Sequence, residues 1–197
     1  MKNQEEKALN PEESLRVIRE TIDLAKNSVR ENGFHFLLWG WLVVLASLVE
    51  YYLLSQGYGD KAHLAWAALP LLGVPAAILY EWRRKKTAQE QNIVRRWYGQ
   101  VWMAFGISLL VGMALAIVME FPPVPVILVL AAFATFLSGV LLRFNPLIFG
   151  AIVFWIGAVA CLTLPVEAHG LLQAGATILG YLVPGYLLNA QARKSYV

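Results

Sequence analysis

Chemistry in this sequence would have to come from polar groups set inside long apolar runs. Glu50 stands in Leu48-Val49-Glu50-Tyr51-Tyr52, near the end of the first such run. An ionised side chain in hydrocarbon costs about 3 kcal/mol or more unless it is paired or wet, so a carboxylate there is a candidate to bind a cation or pass a proton. Thr177 and Tyr181 are four residues apart and share one helix face, which makes them candidates to face a substrate. Pro75 and Pro184 lie inside later runs, where each removes a backbone hydrogen bond and kinks the helix. The carbonyls freed at a kink can line a pathway. Glu50, Thr177, Tyr181, Pro75 and Pro184 are therefore the candidate substrate or ion pathway. Gln100 and Gln173, each close to a helix start, read as hydrated, and His35 reads as interfacial. Asp60, His63, Glu120, Glu167 and His169 fall at the same end as Glu50 and read as the polar dressing of short loops.

Other chemistries have no support. There is no phosphate loop, HExxH, G-x-S-x-G or glycine-rich dinucleotide motif, so no catalytic residue is assigned. Cys161 is the single cysteine and lies in an apolar run, which excludes a disulfide or a CxxC site within one chain. His63 and His169 are far apart and the carboxylates come singly, so neither metal nor cofactor is expected. The basic excess sits largely in one loop, a pattern that membrane topology explains without nucleic acid.

The elements that must position these groups follow from composition. The chain has 197 residues, 58% hydrophobic and 15% charged, against about 25% charged in a soluble domain. So few charges cannot cover a water-facing surface. Six apolar runs occupy 34–54, 62–80, 98–119, 126–142, 146–164 and 171–189. A hydrocarbon core about 30 Å thick needs about 20 helical residues, which makes 126–142 short and 146–164 marginal. Arg143-Phe144-Asn145-Pro146 favours a tight turn between them over one re-entrant segment, with proline opening the next helix. The expected fold is an all-α integral membrane protein. A cytoplasmic amphipathic helix (1–32) precedes a six-helix domain (33–190) and a short tail (191–197).

Charge supplies the orientation. If six helices are threaded, fifteen of the sixteen Lys and Arg fall on one side and only Lys61 on the other. The positive-inside rule then places both termini in the cytoplasm of a multi-pass cell-membrane protein. Arg83, Arg84, Lys85, Lys86, Arg95 and Arg96 give the 81–97 loop a net charge of +4, suited to anionic lipid headgroups.

The segment before the first run opens with Asn10-Pro11-Glu12-Glu13, a helix start. Leu15, Ile18, Ile22 and Val29 then form an apolar stripe, which calls for self-association or a cytoplasmic protein partner on residues 10–31. The runs also pair into three hairpins with recurring features: Trp39, Trp102 and Trp155 in the odd helices, Pro75 and Pro184 in the second and sixth. Two functions fit. One is a transporter, or a transporter's membrane subunit, for a small solute or ion, favoured by the repeat and the kinked helices. The other is a non-transporting regulator or scaffold that engages a partner through its N-terminal helix. If that helix is an interaction module, deleting residues 1–31 should change the oligomeric state or release a co-purifying protein, read by size-exclusion chromatography with light scattering.

Overall fold

The computed structural model describes residues 15–16, 33–83 and 93–194, which form helices and short turns with no strand among them. Six helices follow one another: α1 Phe34–Ser55, α2 Leu64–Arg83, α3 Ile93–Val118, α4 Val124–Leu142, α5 Asn145–Ala160 and α6 Val166–Gln191. Five are long and apolar enough to cross a membrane. α5, with 16 residues, rises about 24 Å. The expected short run 126–142 gains two residues at its start, whereas the run expected over 146–164 stops being helical at Ala160. Of the N-terminal stripe only Leu15 is described, helical and exposed; Ile18, Ile22 and Val29, with Arg84, Lys85 and Lys86, lie outside the described residues.

The connection between α4 and α5 is the tight turn that its residues foretell. Arg143 takes a left-handed conformation (φ 49°), and Phe144 N–H donates to Gly139 O at 2.9 Å, closing the end of α4. Extended Phe144 and then Pro146 open α5. α4 and α5 pack along each other more extensively than any other pair, so this stretch is a hairpin of two full helices.

Packing runs in the order α2, α1, α6, α5, α4, α3, with α4 also touching α6. α6 is therefore central, while α2 and α3 form the rim and leave Leu71, Leu72, Ile107, Leu110 and Ile117 exposed. An apolar rim of that extent is compatible with insertion in a bilayer.

Small residues set the central distances. A Cβ on Gly150 of α5 would fall 2.6 Å from Gly180 O and 3.0 Å from Gly180 Cα, so the two backbones meet there. α2 and α6 each contain one wide π turn, Leu69–Gly73 and Ile178–Leu182, and each turn ends two residues before a proline, Pro75 and Pro184. Proline removes one N–H and crowds the preceding turn, and a widened turn relieves that crowding. Gly150→Ala should destabilise the bundle by about 1–3 kcal/mol through overpacking. Gly106→Ala, with open space around it on α3, should be neutral or stabilising by up to about 1 kcal/mol. Thermal unfolding of the two variants in detergent compares them.

Candidate functional site

α6 presents polar side chains at every fourth position: His169, Gln173, Thr177 and Tyr181. All four are buried, from 1% exposed at Gln173 to 6% at Tyr181. The small residues beside them explain the placement. Gly170 and Ala174 turn towards α1, where they meet Ser47 and Val44, while Ala176 and Gly180 turn towards α5, where they meet Gly157 and Phe154. The strip between those two faces points into the bundle, and the polar column occupies it.

α1 adds two polar groups at the His169 end. A Cβ on Gly170 would lie 3.4 Å from the Ser47 carbonyl oxygen and 3.7 Å from Glu50 Oε2. The buried Glu50 carboxylate thus lies against α6 at Gly170, the residue that follows His169 in the chain.

His169 closes the end of α5. Its Nε2 is 3.1 Å from Cys161 O and 3.2 Å from Leu164 O. Both partners are carbonyls that can only accept, so Nε2 carries the hydrogen and donates to both. They belong to Cys161, which caps α5, and to Leu164 in the bend after it, where backbone carbonyls lack helical partners. His169 Nδ1, on the other side of the ring, is buried without a hydrogen-bond partner. So are Ser47 Oγ, Gln173 Oε1 and Tyr181 Oη. Native interiors leave few such groups, because each costs about 1–3 kcal/mol. By contrast, the buried hydroxyls of α4 are satisfied within their own helix: Thr135 donates to Ala131 O at 2.6 Å and Ser138 to Ala134 O at 2.8 Å.

Aromatic rings close the other end of the column. Tyr181 sits within the π turn, with ring centroids at 4.8 Å to Phe154, 5.8 Å to Phe36 and 6.2 Å to Trp102. Thr135 approaches the Tyr181 hydroxyl without forming a hydrogen bond to it, and Trp102 Nε1 is likewise buried and unpartnered. Beyond this plug α1 is tied to both neighbours. His35 Nε2 lies 3.1 Å from Glu81 Oε1 of α2, Phe34 stacks on Tyr80 at 3.9 Å, and Gly33 N–H donates to Asn189 Oδ1 of α6 at 3.1 Å.

Glu50 approaches α6 at Gly170, and Thr177, Tyr181 and Pro184 are all buried on α6. Pro75 does not join them: it is exposed on α2, outside the column, because among the described residues α2 packs mainly against α1. Gln173, expected to be hydrated, and His169, expected to dress a loop, are both buried. α6 starts five residues ahead of the run expected at 171, which puts these positions inside the helix. The four-residue spacing from His169 to Tyr181 was the signal that could have found them. Ser47, a small residue in an apolar run, offered none. Arg83 and Arg96 are exposed beside the helix ends at the plug side, and Arg95 lies within α3. Among the described residues no group of three or more His, Cys, Asp or Glu is placed to hold a metal ion.

A buried amide oxygen without a partner lowers stability, so Gln173→Met should raise it by about 1 kcal/mol or more if the column serves only the fold's function and not its folding. Thermal unfolding in detergent reads the change. Comparison with family models, with curated proteins and with solved structures finds no match to this chain.

Proposed function

We propose that this chain is a multi-pass membrane protein of six spans with both termini in the cytoplasm, and that it moves a small solute or ion along the polar column of α6. The observation that carries the proposal is the column itself: four buried polar residues in line on the central helix, with three polar atoms unpartnered. A scaffold has no need of such groups, and removing them would stabilise it. A transported solute or ion, or the water that accompanies it, supplies the missing partners in turn as it passes. Intramembrane polar residues that face a bundle interior are typically pathway residues.

The six-span arrangement draws support from charge. Arg83, Arg96 and Arg143 lie at the plug end of the helices and Lys61 at the Glu50 end, which under the positive-inside rule makes the plug end cytoplasmic. α5 is shorter than the hydrocarbon core, but the carbonyls of Cys161 and Leu164 just after it are met by His169 inside the bundle, so they need not reach water. Pro184, buried on α6 just past the π turn, gives that helix a bend at the plug.

Cysteine accessibility tests this reading without knowledge of the substrate. Cys161 is the sole cysteine, so Cys161→Ala gives a clean background. Single cysteines at Gln173 and Thr177 should react with a membrane-impermeant thiol reagent at least about tenfold faster than one at the buried apolar Leu128, since only a hydrated thiol forms the reactive thiolate. Labelling from the Lys61 side of intact cells is expected. Equal protection at all three positions would rule out an aqueous column.

A further inference from the structure

We infer that Trp102 of α3 is the gate at the plug end of the column, holding it shut towards the cytoplasm; the inference rests on the transport reading above. Tyr181 is the last polar residue of the column, and three other helices bring rings to it. Phe154 of α5 lies 4.8 Å away between centroids, Phe36 of α1 5.8 Å and Trp102 6.2 Å. Phe36 and Trp102 also meet edge to face at 5.6 Å. Phe36, Trp102 and Tyr181 thus close a triangle with one ring from each of three helices. Rings at those separations are in contact and leave no path between them for a solute.

Of the three rings, Trp102 sits on the helix best placed to move. Phe36 belongs to α1, which is tied at this end: Phe34 stacks on Tyr80 of α2, and Gly33 N–H donates to Asn189 of α6. Tyr181 belongs to α6, which is held between α1 and α5. α3 is a rim helix packed chiefly against α4. Gly112 and Ala116, in its other half, seat it there: a Cβ on Gly112 would lie 3.2 Å from Val126 Cγ1, and Ala116 is buried. At the plug end Tyr98, Trp102 and Phe105 carry α3 onto the core. Gly99 and Gly106, three residues before Trp102 and four after it, share its side of the helix and have open space beside them. α3 is therefore seated on α4 at one end and rests on a ring cluster at the other, with room along the face that carries the indole.

Closing the plug also carries a polar cost. Trp102 Nε1 and Tyr181 Oη are both buried there without a hydrogen-bond partner. The indole N–H can only donate, and the phenol can donate or accept. Burial of the rings stabilises the closed plug, while the two unmet groups weaken it. Water entering an opened plug would satisfy both. These opposed terms bring the closed and open forms closer in free energy, as a gate requires.

The test uses the full-length Cys161→Ala chain with a single cysteine at Thr177, in inside-out vesicles that present the Arg143 side to an impermeant thiol reagent. With Trp102 in place, labelling from this side should be slow. Trp102→Ala should speed it at least about tenfold, since the thiol then meets water and forms the reactive thiolate. A cysteine at Leu128 should stay protected in the same variant, which separates an opened plug from a loosened bundle. If Trp102→Ala fails to fold, Phe36→Ala takes the facing ring away from α1 and carries the same expectation. Fast labelling with Trp102 in place, no gain on removing the ring, or an equal gain at Leu128 would overturn the inference. The transport reading survives any of these results if the cysteines at 173 and 177 react from the Lys61 side. Cysteines there that stay unreactive from that side would instead remove the transport reading.

Discussion

The backbone contact between α5 and α6 at Gly150 and Gly180 is the constraint on which the rest of the bundle depends. With no side chain on either residue, α6 settles against α5 closely enough for Phe154 to cover Gly180 and reach Tyr181. α6 then lies where α1, α4 and α5 can all touch it. Once it is central, a strip of its surface faces neither neighbour directly, and whatever residues fall on that strip are shut away from the surface of the bundle. The polar column is a consequence of that placement. It is tolerated because small neighbours on either side, Gly170 and Ala174, Ala176 and Gly180, let the flanking helices close around it.

Much of this was legible in the sequence, for identifiable reasons. Apolar runs of the right length and a proline just past Arg143 describe α1 to α6 and the α4–α5 turn, because helix length and turn chemistry are local properties. Glu50 and the Thr177–Tyr181 pair stood out because charge and polarity are conspicuous in apolar surroundings. What escaped was everything that depends on which helix is central. Pro75 and Pro184 look equivalent in sequence, and both are preceded by a π turn, yet one lies on the rim and the other in the core. His169 and Gln173 were placed in water because the start of α6 was read several residues late. Ser47 became a feature only when Gly170 was found against it.

The two ends of the column differ in kind, and the difference bears on how such a device would work. At the Glu50 end the groups are ionisable or hydrogen-bonding and approach a surface. At the plug end they are rings, and the tie between α1 and its neighbours through His35, Phe34 and Gly33 is close by. If the column is the proposed pathway, packing would close it at one end, and packing is bistable, while polar groups would line the other.

The π turn at Ile178–Leu182 has one more consequence. Residues spaced by four in a regular α-helix do not stay in line: each step advances about 40° around the axis, so a stripe of four such residues winds about a third of the way around the helix. His169, Gln173 and Thr177 accumulate that drift. The π turn packs more residues into a revolution, and so rotates the next step backwards. Tyr181 is thereby returned towards the azimuth of the residues above it. The local irregularity that accommodates Pro184 also straightens the column, and a mutation that restored a regular α-helix there would swing Tyr181 out of line without altering a single polar group.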